Sequence, residues 1–256
     1  MSIPFTVVIP CYRSESCLKK TVDELFGTID MHPVLRMHVI LVNDCSPDDT
    51  FKVIRSLCRD YPGRVTGIDL RRNAGQAQAK MAALSLIGSG ITVFMDDDGQ
   101  HDPSVIPSLI RKIRSGSDLV YAQFPETEET LFRRAGSRAA DLLMTIFDRK
   151  PRNLRISSFF AISEQALTAL KSYRCRWPFI GGWLMMNGYH TCGIPAAHRK
   201  RSAGSSGYTL RKLVRRTAEV TILFRIPLRA GDPPPWEVRR VITEDGIPET
   251  SPSDPS

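Results

Sequence analysis

No stretch of this 256-residue chain approaches the roughly 18 uninterrupted apolar residues that a membrane-spanning helix needs, so a buried transmembrane segment is not expected. The first residues, Met1-Ser2-Ile3-Pro4, carry no basic leader, and residues 7–9 are too short for the apolar core of a secretion signal. Cysteine is sparse: the six (Cys11, Cys17, Cys45, Cys58, Cys175, Cys192) form no CxxC pair and no small-scaffold spacing. Several lie in apolar segments, which points to reduced thiols and a cytoplasmic setting. No internal repeat is visible. A glycine-rich phosphate loop is missing after the first strand-like run, which argues against nucleotidyl transfer, and no DNA- or RNA-binding signature is present.

What is there is ordinary in bulk and uneven in charge. Hydrophobic residues make up 42% and charged residues 24%, enough apolar material for one large domain. The formal charge is +8, and residues 195–230 alone hold nine Lys/Arg against one acid, Glu219. The remainder from Gly231 onward has six acids and two arginines. A basic stretch of this kind suits an anionic membrane surface, a phosphorylated ligand or nucleic acid, or is simply a solvated helix face.

Strand-like and helix-like signals alternate over the first 120 residues. Apolar runs at 5–9, 37–42, 65–70, 91–95 and 119–122 read as strands. Helices are expected between them, one opening at Ser46-Pro47-Asp48-Asp49, one over 76–87 and one after Asp102-Pro103. Continuous apolar strands alternating with amphipathic helices predict an α/β domain with a mostly parallel sheet covered on both faces. Ligands of such sheets bind beyond the carboxyl ends of the strands. Asn43-Asp44, Arg71-Arg72-Asn73 and Asp96-Asp97-Asp98 all follow strands and should converge on one rim. Further on, a helix is expected over 131–147, a strand over 157–162, a helix over 164–170 and a basic amphipathic helix over 208–224. A Pro-rich polar tail without fixed structure should follow from residue 231.

The sharpest motif is Asp96-Asp97-Asp98-Gly99-Gln100, directly after the fourth strand. Three adjacent carboxylates repel one another, and a divalent cation bridging to a diphosphate relieves that repulsion. In extended backbone Asp96, Asp98 and Gln100 share one side. The bland alternative, an acidic turn capping the next helix, needs only Asp102.

Four ordered blocks then carry a family resemblance: Val7-Val8-Ile9-Pro10-Cys11-Tyr12-Arg13-Ser14-Glu15, Leu41-Val42-Asn43-Asp44-Cys45-Ser46-Pro47-Asp48-Asp49-Thr50, Arg72-Asn73-Ala74-Gly75-Gln76 and Met95-Asp96-Asp97-Asp98-Gly99-Gln100-His101-Asp102-Pro103. The chain resembles glycosyltransferase family 2, in particular its polyprenyl-phosphate branch, which includes dolichyl-phosphate mannose synthases and bacterial enzymes charging undecaprenyl phosphate. Later matches are Phe132-Arg133-Arg134, Ser157-Ser158-Phe159 and His198-Arg199-Lys200-Arg201, so the resemblance covers about residues 5–230.

That resemblance implies a GT-A fold, with 1–122 as the nucleotide-sugar half and 123–208 as the acceptor half of one catalytic domain. A basic helix over 209–230 and a tail over 231–256 would follow. It implies that Pro10, Tyr12 and Glu15 line the nucleotide pocket, that Asp44 and Arg71 lie near the base or ribose, and that Asp96 and Asp97 lie near the ribose. Asp96, Asp98 and Gln100 would hold Mg²⁺ or Mn²⁺. Arg133, Arg134 and Arg201 would clamp phosphates, since guanidinium forks match phosphate oxygens.

The implied reaction is inverting transfer of a sugar from a nucleotide-sugar donor to a polyprenyl phosphate, with peripheral contact at the inner membrane face and no nucleic-acid partner. Between Ser157 and Tyr189 the only acid is Glu164, and an anionic phosphate acceptor needs no strong base. A soluble small-molecule acceptor and a non-catalytic nucleotide-sugar binder are the competing readings, and self-association stays open. Aromatic and thioether residues at Trp177, Phe179, Trp183, Met185 and Met186 either line a prenyl groove or fill core. The chain departs from the family pattern at Arg13 (usually Asn), Asn43 (usually Asp), Cys45 (usually Gly) and Phe160 (usually basic). The membrane-helix pair usual in the bacterial branch is also missing.

Overall fold

In a computed structural model of the chain, the structure describes residues 2–124, 150–151, 154–197, 222–229, 231–243 and 248–249. The first strands are almost wholly apolar because both of their faces are covered. β1 (Ile3–Cys11) runs parallel to β2 (Leu35–Asn43), β2 to β3 (Val65–Leu70), and β1 on its other side to β4 (Ile91–Phe94). Alternation splits their side chains: Val7 and Ile9 enter one core, Val8 the other. α1 (Leu18–Ile29), α2 (Thr50–Asp60) and α4 (Ile106–Arg114) bury Leu18, Val22, Leu25, Ile54, Leu57, Ile106 and Leu109 in the first core. α3 (Gln76–Leu84), α5 (Glu164–Leu170) and α6 (Ile180–Met186) supply the second.

The sheet continues through β5 (Leu119–Gln123), β6 (Phe160–Ile162), β7 (Thr191–Pro195), β8 (Val238–Ile242) and β9 (Pro248–Glu249), in the order β7-β5-β6-β4-β1-β2-β3-β8-β9. β6 is antiparallel to both β4 and β5, between which it lies, so one sheet joins segments from both sides of residue 122. The carboxyl ends of β1, β2, β3, β4 and β5 therefore share a rim with the residues that enter β6 and β8.

Several expectations need correction. The segment from 231 was expected to lack fixed structure, yet Val238–Ile242 adds to the free edge of β3 as an antiparallel strand. Its physical reason is legible afterwards: Val241 and Ile242 are buried, and Ile242 joins the core beneath α2. Of the basic helix expected over 209–230, residues 222–229 are described. Leu223–Arg225 form a single 3₁₀ turn there, and Pro227 leaves it to bridge Cys175. α2 opens at Thr50 rather than at Ser46, because the Ser46 hydroxyl accepts the Arg13 amide (2.8 Å) while Asp48 accepts the Thr50 amide (3.2 Å). Asp102 caps the turn at Pro103 as expected, its carboxylate accepting the Ser104 amide at 2.9 Å. The helix expected over 131–147 lies outside the described residues.

Candidate functional site at the carboxyl rim of the sheet

The acidic run after β4 divides its labour by strand alternation. Asp97 turns toward α1: its Oδ2 accepts the Tyr12 amide (3.1 Å) and the Ser14 hydroxyl, and its carbonyl accepts from Thr21 Oγ1 (3.2 Å) and Cys17 Sγ (3.3 Å). Burial pushes the Asp97 carboxyl up from the ordinary aspartate range, while those two donors pull it back. Asp97 is thus the pin that fastens the β1–α1 loop to the end of β4.

Asp96 turns the other way, toward α3. Its Oδ1 accepts from Gln76 Nε2 at the first turn of α3, and its Oδ2 accepts from Ser158 Oγ, just before β6. His101 supports it from beneath. The imidazole is buried, stacked between Phe159 (centroids 4.8 Å) and Phe124 (5.7 Å), and its Nδ1 accepts the Asp96 amide at 3.0 Å. Accepting on Nδ1 places the proton on Nε2, which lies 3.8 Å from Asp96 Oδ2. Asp98 is half-buried and its Oδ1 accepts the Gln100 amide (3.1 Å), closing a tight turn.

Asp44 lies deeper than the sequence suggested. It is 3% exposed, and its two oxygens accept the amides of Ala74 (2.7 Å) and Gly75 (2.8 Å). Its own amide donates to the Cys11 carbonyl (3.0 Å) and its carbonyl accepts from Asn73 Nδ2 (3.1 Å). Burial raises its pKa and the two amides lower it. The residue therefore holds the β3–α3 loop against β1. Glu15 is likewise engaged, accepting the Asp49 amide (2.8 Å) at the start of α2. Pro10 is buried within β1, whereas Tyr12 presents its ring at the rim, 44% exposed. Arg71 follows β3 and pairs through Nε with Glu237 Oε1 (3.0 Å).

Oxygen donors alone make up the cation-binding candidates Asp96, Asp98 and Gln100, which suits Mg²⁺ or Mn²⁺ rather than a softer metal. Among the described residues no three His, Cys, Asp or Glu side chains gather around one point. A cation held by these three side chains would take two carboxylates and an amide oxygen from the protein and the rest of its shell from ligand phosphate and water, as is usual for Mg²⁺ on phosphates.

A family model described as glycosyl transferase family 2 matches residues 6–177, which span this rim except for the residues that enter β8. The chain belongs to glycosyltransferase family 2. Among curated relatives of this glycosyltransferase is the undecaprenyl-phosphate 4-deoxy-4-formamido-L-arabinose transferase of Edwardsiella ictaluri (strain 93-146). It is 28% identical over 228 residues, covering 88% of this chain and 69% of the relative. Its namesake in Shewanella sediminis (strain HAW-EB3) is 26% identical, with 88% and 68% covered. Solved structures sharing the GT-A fold include glucosyl-3-phosphoglycerate synthase from Mycobacterium tuberculosis in complex with Mn²⁺, UDP and phosphoglyceric acid (TM-score 0.62, 19% identity, 88% and 80% covered). Another is the mannosyltransferase PcManGT from Pyrobaculum calidifontis with GDP-Man and Mn²⁺ (TM-score 0.58, 15% identity, 79% and 58% covered).

The fold shows that two departures of this glycosyltransferase from its family pattern carry a backbone cost. Arg13 and Cys45 both hold left-handed backbone, φ 57° and 52°. Asn and Gly, the residues the pattern has there, adopt that region at least cost. Of the predicted site residues, the rim brings together Tyr12, Arg71, Asp96, Asp98 and Gln100, with Asp44, Asp97 and Glu15 tying its loops. Arg133, Arg134 and Arg201 lie outside the described residues. Sequence reasoning missed Gln76, His101, Glu237 and Arg239. Gln76 and His101 sit inside quoted blocks and were in principle findable. The other two come from the tail and carry no local signal.

The aromatic and thioether residues are split between roles. Met185 is buried and Phe179 packs edge-on against Phe224. Trp183 and Met186 line a cleft of about 270 Å³ with Tyr173 and Phe224. Trp177 lines another, of about 380 Å³, with Arg72, Arg176, Arg229 and Leu228.

Proposed function

We propose that this glycosyltransferase moves a sugar from a nucleotide-sugar donor to a polyprenyl phosphate or a similar phosphate acceptor, by a single displacement that inverts the anomeric carbon. The observation carrying this reading is the double tether of Asp96, to Gln76 on the β3–α3 side and to Ser158 on the β6 side. One carboxylate thereby joins the strand ends that bind nucleotide in such folds to the segment that would present the acceptor.

The nucleoside would lie over the ends of β1, β2 and β3, with Tyr12 offering a ring face and Arg71 a guanidinium. A Mg²⁺ or Mn²⁺ ion held by Asp96, Asp98 and Gln100 would supply charge neutralisation to the diphosphate as it leaves. His101 fixes the backbone of Asp96, and Asp97 fixes that of Tyr12, so neither can drift as charge develops. Arg133, Arg134 and Arg201 are the proposed clamps on donor or acceptor phosphate.

The cleft beside α3 supports an acceptor that is both anionic and apolar. Three arginines (Arg72, Arg176, Arg229) surround Trp177, Ile226, Leu228 and a proline run, with Asp232 as the one acid. The relatives named above act, by their names, on undecaprenyl phosphate, a ligand of that character. No helix of the described residues is long and apolar enough to cross a membrane. Exposed Ile222 (62%) and Ile226 (50%) next to Arg225 and Arg229 suit a peripheral contact with an anionic bilayer at the cytoplasmic face.

The test is turnover of UDP-, GDP- and dTDP-sugars with Mn²⁺, with and without polyprenyl phosphate. Asp98→Ala should lose at least about a hundredfold in kcat, the scale of losing a main electrostatic contact to the leaving group, while melting within a degree or two of wild type. Full turnover by that variant, or by wild type in excess chelator, would remove the metal from the mechanism.

A further inference from the structure

We propose that the C-terminal strand β8 is a working part of the donor pocket, with Glu237 as the positioning residue for Arg71. The inference rests on the nucleotide-sugar reading above and adds to it a segment that lies beyond the 6–177 family match.

The case begins with a buried charge. Asp69, near the end of β3, is 2% exposed, and a carboxylate so buried needs hydrogen-bond donors and cations. Asn43 Nδ2 supplies one bond (2.8 Å), and both cations come from β8: Arg239 Nη1 at 3.4 Å and Arg240 Nε at 3.5 Å. Consecutive strand residues normally point to opposite faces, so two neighbouring arginines should not reach one carboxylate. The pairing of β8 with β3 resolves this. Asp69 lies opposite Arg240 and Leu70 opposite Val238, so Arg239 is the extra residue of a bulge. Bulges re-aim side chains and gather next to active sites. Here the bulge also lets Arg239 Nη2 donate to the Arg71 carbonyl (3.4 Å).

Just past the bulge the strand reaches the rim. The Arg71 amide donates to the Glu237 carbonyl (2.8 Å), and Arg71 Nε meets Glu237 Oε1 (3.0 Å). The two side chains are 58% and 60% exposed, so the ion pair contributes little to stability. Its consequence is geometric. Arg71 is gripped at its backbone from both sides and at Nε, while the Nη groups carry the guanidinium's other N–H donors. Arg72 follows suit, its Nη2 donating to the Pro235 carbonyl (3.4 Å). Where a long, flexible side chain is to read a base, such pre-organisation removes entropy that binding would otherwise spend.

The experiment is calorimetric titration of the full chain with UDP, GDP, CDP and dTDP, each with Mn²⁺, and with inorganic pyrophosphate and Mn²⁺ as a probe that touches only the metal corner. For whichever nucleotide wild type binds, Glu237→Ala should weaken affinity about tenfold, the scale of one charged hydrogen bond. Glu237→Gln, which keeps an acceptor oxygen, should recover part of that loss. Pyrophosphate affinity and the urea midpoint should stay at wild-type values. An unchanged nucleotide affinity in Glu237→Ala overturns the proposal and leaves the donor reading standing. Equal loss for nucleotide and pyrophosphate also overturns it, since Glu237 would then support the whole rim rather than Arg71. Wild type binding none of the nucleotides would overturn both.

Discussion

Asp44→Ala separates two roles that the carboxylate could have, and the structure predicts which one dominates. In the family resemblance Asp44 is a ligand contact; in the fold its oxygens accept the amides of Ala74 and Gly75 at 2.7 and 2.8 Å. Truncation leaves two buried N–H groups without their acceptor, each costing about 1–3 kcal/mol. Relief of the carboxylate's own burial penalty, the main cause of its raised pKa, returns part of this. A net loss of about 3 kcal/mol follows, or roughly 6–12 °C in Tm for a chain of this size. Asn at this position keeps one acceptor oxygen and should lose about half as much. The pH dependence has a definite sign. A carboxyl whose pKa is raised in the folded state binds its proton earlier there than in the unfolded chain, so its contribution grows more favourable as pH falls through the folded pKa toward the ordinary aspartate value. The stability gap between wild type and Asp44→Ala should therefore widen toward acid. Urea denaturation followed by tryptophan fluorescence measures all three quantities. An Asp44→Ala protein with a wild-type midpoint that no longer binds nucleotide would refute this reasoning and return the residue to ligand contact.

Two further substitutions test the packing that sets the rim. Cys45→Gly should raise stability by up to about 1 kcal/mol, because a left-handed L-residue costs about 1–2 kcal/mol and glycine's extra chain entropy offsets part of the relief; a lower urea midpoint would count against strain at φ 52°. Gly181→Ala should cost about 1–3 kcal/mol, since a methyl there overlaps the hydroxyl of buried Tyr121 on β5 and the core must shift to admit it; an unchanged melt would show that α6 stands further from the sheet than described.

The first five strands, the order of the helices between them and the convergence of three polar clusters on one rim were legible in the sequence, whereas β7, β8 and β9 were not. Each follows from a local rule: apolar continuity for a strand covered on both faces, helical spacing for the helices between, and parallel direction for the shared end. The Asp96-Asp97-Asp98 run announced itself by charge alone. Its division of labour did not, because Asp97 becomes a pin and Asp96 a double tether only once the β1–α1 loop lies on one side and Gln76 and Ser158 on the other. That Asp44 and Glu15 also tie loops was not legible, since a backbone amide that must be satisfied has no sequence signature. The tail is the sharpest case. Prolines and acids from residue 231 predict a chain with no fixed place. Only the tertiary structure supplies the reason for β8 to settle: an unpaired edge on β3 and a buried Asp69 whose charge has to be met by arginines some 170 residues away.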